Sequence, residues 1–331
     1  MVRPTAYIPN FNGSAMLAEL LESLDRQTVR CDVVVVDNGS TDDSVATTRE
    51  RFPWVEVIEL ANNHGYGRAL NLAIAQCPGD PIILLNNDVR CEVDFIEEML
   101  RTLHAGVEMV SGLLTLHSKP DVIDSAGIIA DRRTLMAFDY LQSEPLSCAP
   151  GKPAPLSPTG GAALYSRAAF EAVGGFDERI QAYYEDLDLG LRLRVAGASC
   201  ALASGATGTH RYSATLGASS GAKYALTGWS RAYLLRRYGV MRSLNGAART
   251  LVGEGAICAG QIALDRTARG ALGRLKGWHE AGKLERRALP EEGLIDLSLG
   301  WGLRRRLRRR SSAKEVAVKS GGAYRAEPGQ V

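Results

Sequence analysis

Val33-Val34-Val35-Val36-Asp37-Asn38-Gly39-Ser40-Thr41-Asp42 is the stretch that decides the fold class. Four successive β-branched residues read as a strand buried on both faces, which belongs in a parallel sheet covered by helices on each side. The run ends on a carboxylate and an Asn-Gly turn. Ser40-Thr41-Asp42-Asp43 then reads as a capping box that opens a helix through Arg51. Outward from this point the alternation continues. Thr5 to Pro9 reads as a strand, followed by a helix over Ala15 to Gln27 with Ser14 as its N-cap. Val55 to Leu60 is the next strand, Tyr66 to Gln76 a helix, Ile82 to Leu85 a strand, Phe95 to Leu103 a helix and Val107 to Leu114 extended. This order predicts an α/β fold, a Rossmann-like doubly wound, mostly parallel sheet with ligands at the carboxyl ends of its strands.

Lys119 to Pro158 loses periodicity and gathers prolines, so it reads as irregular. Order returns with Ala162 to Ser166, a short helix to Val173 and a helix from Glu185 to Val195. From Tyr224 to Trp278 the chain reads as helical with a break near Gly239, and 311–331 as disordered. The six cysteines are scattered without a C-x-x-C pair, which argues against a zinc site or disulfide framework and fits a reducing cytoplasm. Neither a signal peptide nor a run of ~18 apolar residues is evident. The net charge of +2 is uneven. Residues 301–331 hold nine Lys/Arg against two Glu, or +7, which leaves about −5 on residues 1–300.

Four polar clusters stand where strands end. Asp37 suits acceptance from a nucleobase N–H or a ribose hydroxyl, with helix capping as the plainer reading. Asp88, in Leu85-Asn86-Asn87-Asp88, suits Mg²⁺ or Mn²⁺ shared with a diphosphate, because these ions take oxygen ligands; an Asx-turn is the plainer alternative. Tyr183-Tyr184-Glu185-Asp186-Leu187-Asp188 puts three carboxylates at a helix start. The helix dipole favours them there, and the Leu187, Leu191, Val195 stripe aims them at a fixed place, as a general base requires. His210, in a Gly/Ser/Thr-rich segment, is either a polar loop residue or, if the fold brings it to Asp88, a second ligand. Gly65-Tyr66-Gly67-Arg68-Ala69-Leu70 nearly spells a dinucleotide fingerprint, but its third glycine is Leu70 and it follows the third strand, which argues against a nicotinamide dehydrogenase. Its glycines more simply allow backbone to approach a ligand or a neighbouring strand.

Taken in order, Pro9-Asn10-Phe11-Asn12-Gly13, Val36 to Asp42, Asn63-His64-Gly65-Tyr66-Gly67 with Asn71, Leu85 to Asp88, Thr159-Gly160-Gly161-Ala162, Gly174-Gly175-Phe176-Asp177 and Tyr184 to Leu189 resemble glycosyltransferase family 2, enzymes of the GT-A fold. The resemblance covers about residues 5–240. It implies a catalytic domain over 1–240, with a nucleotide-sugar half at about 1–115 and an acceptor half at about 155–240. A helical extension over 241–300 and a basic, partly disordered tail over 301–331 would follow. The implied catalytic base is Asp186, with Glu185 beside it. The implied donor contacts are Pro9, Asn10, Asn12, Asp37, Asn38, Asn63, Gly65, Arg68 and Asn87, with Asp37 on the base. Asp88 and His210 would hold a divalent metal, Mg²⁺ or Mn²⁺, and Gly160, Gly161 and Asp188 would meet the acceptor. Asn86 stands where the family commonly has the first Asp of Asp-x-Asp, so fewer charges face the metal. The Asn-Asn-Asp form and the Asn-x-Gly-Tyr-Gly element look most like the rhamnosyltransferase branch, which uses a dTDP-sugar.

The expected partners are a nucleotide-sugar donor and a saccharide or lipid-linked saccharide acceptor, with the oligomeric state open. Trp301, Leu303 and Leu307 among six arginines suggest a tail that touches the inner face of the cytoplasmic membrane. A nucleotidyltransferase would carry a basic glycine-rich loop after the first strand, and Asn10 to Ser14 has no Lys or Arg. A non-catalytic nucleotide-sugar-binding protein fits poorly with an intact Glu185-Asp186. A nucleic-acid partner would rest on the tail alone and is not expected.

Overall fold

The computed structural model describes residues 3–211, 220–298, 300–302 and 304–305. The chain folds as two compact units. One comprises Met1–Ile129, Ala137–Tyr212 and Leu289–Gly293, the other Ala130–Met136, Ser213–Ala288 and Leu294–Val331.

In the first unit, β1 (Thr5–Asn10), α1 (Ser14–Asp25), β2 (Asp32–Asp37), α2 (Ser44–Arg51), β3 (Glu56–Glu59), α3 (Tyr66–Gln76) and β4 (Ile82–Leu85) alternate as the sequence predicts. The strands pair in parallel in the order β3-β2-β1-β4. Alternation divides the valine run: Val33 and Val35 pack on one side with Leu17, Leu20 and Leu21, while Val34 and Val36 pack on the other with Ala69, Leu70 and Ile74. Each fully buried aliphatic side chain stabilises by ~1.5–3 kcal/mol. An Asp at Val35 would therefore sit uncompensated in the core and break the sheet.

The sheet continues with β5 (Val89–Cys91), α4 (Phe95–Leu103), β6 (Met109–Leu116), β7 (Lys119–Ser125), β10 (Ala162–Tyr165), α5 (Arg167–Ala172), α6 (Glu185–Val195) and β11 (Cys200–His210). Strand β10 lies antiparallel to both β4 and β6, β11 runs parallel to β6 and antiparallel to β5, and β7 pairs with β6. The full order is β3-β2-β1-β4-β10-β6-β11-β5. Strands β8 (Ile128–Ala130) and β9 (Ala137–Asp139) form a separate two-stranded sheet.

Several local expectations are corrected. Lys119 to Pro158 is not irregular throughout, because β7, β8 and β9 lie in it and Leu113, Ile123, Ala126 and Ala149 form a small core of their own. The N-cap of α1 is Gly13 and not Ser14; the Ser14 N–H donates to Asp42 Oδ2 at 3.1 Å. The predicted capping box does not form. Asp43 caps α2 without a side-chain bond, and Asp42 Oδ1 accepts from the Ser44 N–H instead. His210 is not in a loop but ends an 11-residue strand.

The second unit holds α7 (Gly221–Arg237), α8 (Leu244–Asp265) and α9 (Arg269–Ala281), with a second break at Arg266, whose backbone is left-handed. Helices α7 and α9 approach closely through glycine: a Cβ at Gly273 or Gly277 would strike the carbonyls of Ala225 and Trp229. Arg231 of α7 is 1% exposed and pairs with Glu254 of α8 at 2.7 Å, while Arg274 of α9 holds the other Glu254 oxygen at 2.8 Å. Burial favours a neutral Glu254, but the two guanidiniums outweigh it and hold the carboxyl down at about 2. The tail expected from residue 301 lies outside the described residues except for 301, 302, 304 and 305.

Candidate active site

The carboxyl ends of β1, β2 and β4 meet at one edge of the sheet. Parallel register sets Asn10 opposite Asp37 and Pro9 opposite Val36. Asn10 Nδ2 donates to Asp37 Oδ1 at 3.2 Å, the Ser40 N–H donates to Asp37 Oδ2 at 3.0 Å, and Asn87 Nδ2 donates to Asn10 Oδ1 at 2.7 Å. Asp37 is thus buried with both oxygens bonded inside the protein. Asn12, at φ 52°, accepts from the Thr41 N–H at 2.7 Å and fixes the start of α2. Asn38 Nδ2 donates to Asn63 Oδ1 and the Gly65 carbonyl, both at 3.2 Å. Arg68 is exposed, 3.8 Å from Glu178. Gly65 and Gly67 admit the segment 176–181: Gly65 has φ +81° and a Cβ there would lie 2.5 Å from the Gln181 carbonyl, while one on Gly67 would lie 2.8 Å from Phe176 Cβ.

Asp88 follows β4 in a tight turn. Its Oδ1 is buried and accepts no hydrogen bond, although His210 Nε2 lies 3.3 Å away. The fold itself makes this meeting, because β11 pairs antiparallel with β5 and sets His210 opposite Val89. The other imidazole nitrogen, Nδ1, lies 2.6 Å from Oδ2 of buried Asp124 on β7. Burial disfavours a charged imidazole, but Asp124 and Asp88 outweigh it and raise His210 to about 10. Asp124 is not among the candidates that the sequence offers, since it lies in the proline-containing stretch from Lys119 to Pro158. The β-branched Val122-Ile123 just before it is the signal that marks a strand there.

Asp186 and Glu185 open α6. Two consecutive residues before them, Tyr183 (φ 65°) and Tyr184 (φ 71°), are left-handed without being glycine, a costly geometry that clusters at functional sites. The Gly160 N–H donates to Asp186 Oδ2 at 3.2 Å and the Leu187 N–H to Oδ1 at 2.8 Å. Tyr66 Oη donates to the Gly160 carbonyl at 2.8 Å. The next residue, Gly161, accepts from the Asn86 N–H at 3.4 Å. Two adjacent glycines therefore tie the Asp186 carboxylate to the turn that carries Asp88.

Glu185 is buried, its Oε2 without a hydrogen-bond partner. Burial first, then the Asp186 charge, raises its carboxyl. Burial also raises Asp186, against the pull of the Gly160 and Leu187 N–H groups, and Asp139 adds to the rise. Asp188 is different. It is fully buried in an ion pair with Arg192 Nε at 2.8 Å, and Arg192 also donates to the Val173 carbonyl at 2.8 Å, so it fastens α6 in place.

Among the described residues no set of three or more His, Cys, Asp or Glu is arranged to hold an ion. Asp88 and His210 nevertheless fit two ligands of a divalent ion: a carboxylate oxygen lacking a hydrogen bond faces an imidazole whose far nitrogen is fixed by a second carboxylate. Mg²⁺ and Mn²⁺ sites in phosphate-handling proteins use one or two protein ligands and draw the rest from substrate and water.

A sequence model described as Glycosyl transferase family 2 matches residues 5–174. An N-acetylglucosaminyl-diphospho-decaprenol L-rhamnosyltransferase of Mycobacterium tuberculosis is 32% identical over 209 residues, spanning 55% of this chain and 67% of that protein. Among solved structures, GalNAc-T7 with UDP, GalNAc and Mn²⁺ superposes with a TM-score of 0.61 at 12% identity, covering 94% of this chain and 58% of that one. The mannosyltransferase PcManGT of Pyrobaculum calidifontis, in complex with GDP-Man and Mn²⁺, gives 0.55 at 16% identity, covering 96% and 86%. These two likenesses bear on the fold, which is GT-A. With its family model matching about half of the chain over the β1-to-α5 region, this protein belongs to glycosyltransferase family 2.

Proposed function

We propose that the protein is an inverting, metal-assisted glycosyltransferase that moves L-rhamnose from dTDP-L-rhamnose to a hydroxyl of a lipid-linked saccharide. The observation that carries the chemistry is the Gly160-Gly161 link, which fixes a carboxylate whose affinity for a proton is raised beside the turn bearing Asp88. The named sugar and acceptor rest on the likeness to the mycobacterial rhamnosyltransferase.

In this reading Asp186 takes the proton of the acceptor hydroxyl as that oxygen attacks the anomeric carbon. The bond from that carbon to the diphosphate oxygen breaks, and its electron pair leaves with the nucleotide. One displacement inverts the anomeric centre. Asp88 and His210 would hold the divalent ion, which supplies Lewis-acid stabilisation to the departing diphosphate. Asp124 fixes the orientation of the His210 ring, with Nε2 toward Asp88. Asn10, Asn12, Asp37, Asn38, Asn63, Gly65 and Asn87 build the donor floor, and Arg68 reaches it from outside. Gly160 and Gly161 border the acceptor, while Asp188 holds the helix under the base.

A thermal-shift series with Mn²⁺ tests the donor. Ligand binding to the native state raises apparent stability by mass action, and dTDP-L-rhamnose should raise the melting temperature more than UDP-glucose or UDP-GlcNAc. Stabilisation by UDP-sugars alone would replace dTDP-rhamnose as the donor.

A further inference from the structure

Helix α8 has a face that no described residue of its own unit covers. Its exposed residues between 244 and 264 include no Asp, Glu, Lys or Arg. Leu244, Leu251 and Ile262, 92%, 62% and 52% exposed, fall on one line of the helix, with Ala248, Gly255 and Ala259 between them at spacings of three and four. Val252 beside the line is 59% exposed. The opposite side carries the buried Gly246, Thr250 and Gly253 and the ion-paired Glu254. A helix face in water ordinarily carries charge, and a contiguous apolar strip marks a contact surface.

The ends of the strip say what it contacts. Arg242 precedes α8 and Arg266 follows it, both exposed, while Asp265 beside Arg266 is engaged by Tyr224 Oη at 2.9 Å; α9 adds exposed Arg269, the exposed pair Leu272 and Leu275, and Lys276, which is 3.9 Å from Glu280. A helix of 22 residues is about 33 Å long, so cations bracket an uncharged strip. Parallel self-association through this strip would set Arg242 against its own copy, and antiparallel self-association would set it against Arg266, whose neighbour Asp265 is already engaged by Tyr224 Oη. An anionic headgroup layer neutralises both ends at once while the strip enters the acyl boundary. No described helix is long and apolar enough to cross a membrane, so the geometry is that of a helix lying in the surface.

We propose that the uncharged face of α8, with the cations at its ends, docks the protein on an anionic lipid bilayer. This deepens the reading of a lipid-linked acceptor by naming the surface that meets the membrane, and it stands apart from the basic tail. It rests on that reading only for why the enzyme visits a membrane.

The test is flotation of the full chain with vesicles of phosphatidylglycerol and phosphatidylcholine, and with phosphatidylcholine alone. The wild type should float with the anionic vesicles at low salt and weakly with the neutral ones. Leu251→Asp with Ile262→Asp should lower the bound fraction at least about tenfold, and the milder Leu251→Ser with Ile262→Ser should lower it less. Thermal melting confirms that both variants remain folded. Replacing the six arginines of 304–310 by Gln should leave substantial binding. Equal flotation of the wild type and both α8 variants, or none by the wild type at low salt, overturns the proposal. So does loss of binding only in the tail variant. Dimers by sedimentation in the wild type and monomers in the α8 variants, without a flotation difference, would assign the strip to a second copy instead. Transfer of sugar to a short-chain acceptor in detergent is measured separately. Its failure would count against the acceptor reading and not against docking.

Discussion

Glu185 and Asp186 are neighbours in the chain with different tasks in the fold. Asp186 is half-buried and receives two backbone N–H groups, whereas Glu185 is buried with one oxygen unpartnered. Asp186→Asn should lower transfer by ~10²–10⁴-fold, since the amide keeps the shape and cannot take a proton. Binding of nucleoside diphosphate should stay within a few-fold, as measured by calorimetry. Burial raises the Asp186 carboxyl, so it is protonated at higher pH than an ordinary carboxylate and the rate should fall on its acidic side early. Asp139→Asn removes a neighbouring negative charge and should move that limb to lower pH in a rate–pH profile. Glu185 has the stability counterpart. Its folded-state carboxyl is raised, so the ionised form opposes folding, and stability is lost as pH rises from the ordinary carboxylate range through the raised value. Glu185→Gln should therefore raise the melting temperature above that window and change little below it. The Tyr-Glu-Asp motif announces both residues in the sequence. It does not announce the Gly160 bond, because that depends on a chain reversal 26 residues away.

At the scale of elements, β11 shows why part of the candidate site stays illegible in sequence. Cys200 to His210 is small and glycine-rich, against ordinary strand preference. The structure gives the reason: a Cβ at Gly205 would lie 2.5 Å from Glu98 Oε2 and one at Gly208 would lie 2.9 Å from the Arg90 carbonyl. Crowding selects the small residues, and pairing with β6 and β5 makes the strand. The Val33–Val36 run needs no such help, because its pattern alone requires two covered faces. Strand β7 escapes notice for a different reason, since Lys119, Pro120 and Asp121 precede its short Val122-Ile123 run, and with it goes Asp124. Asp124→Asn should weaken Mn²⁺ affinity by ~10–100-fold through His210, read by calorimetry on the resting protein in the presence of nucleoside diphosphate. Asp124→Glu should restore part of it, and unchanged affinity in both variants would reduce Asp124 to a packing role. In the helical unit, Glu254→Ala strands Arg231 and should cost ~3–5 kcal/mol, measured by denaturant unfolding.

Across the whole molecule, the proposed reaction uses a GT-A sheet, a positioned carboxylate and a carboxylate–imidazole pair for one displacement at a sugar carbon. The order of strands and helices through β4 is written in hydrophobic period alone. The assembly of the candidate site is not, since its residues come from the turn after β4, from β7, β11 and α6, and from the glycines before β10. Its most direct test is the stereochemistry of the product. The purified protein is incubated with dTDP-L-rhamnose, Mn²⁺ and a polyprenyl-diphosphate-linked N-acetylglucosamine, and the anomeric configuration of the product is read by NMR beside an Asp186→Asn control. Inverting transfer gives one added sugar of configuration opposite to the donor, and none in the control. A product that retains the donor's configuration, or equal product from the Asp186→Asn protein, would contradict it.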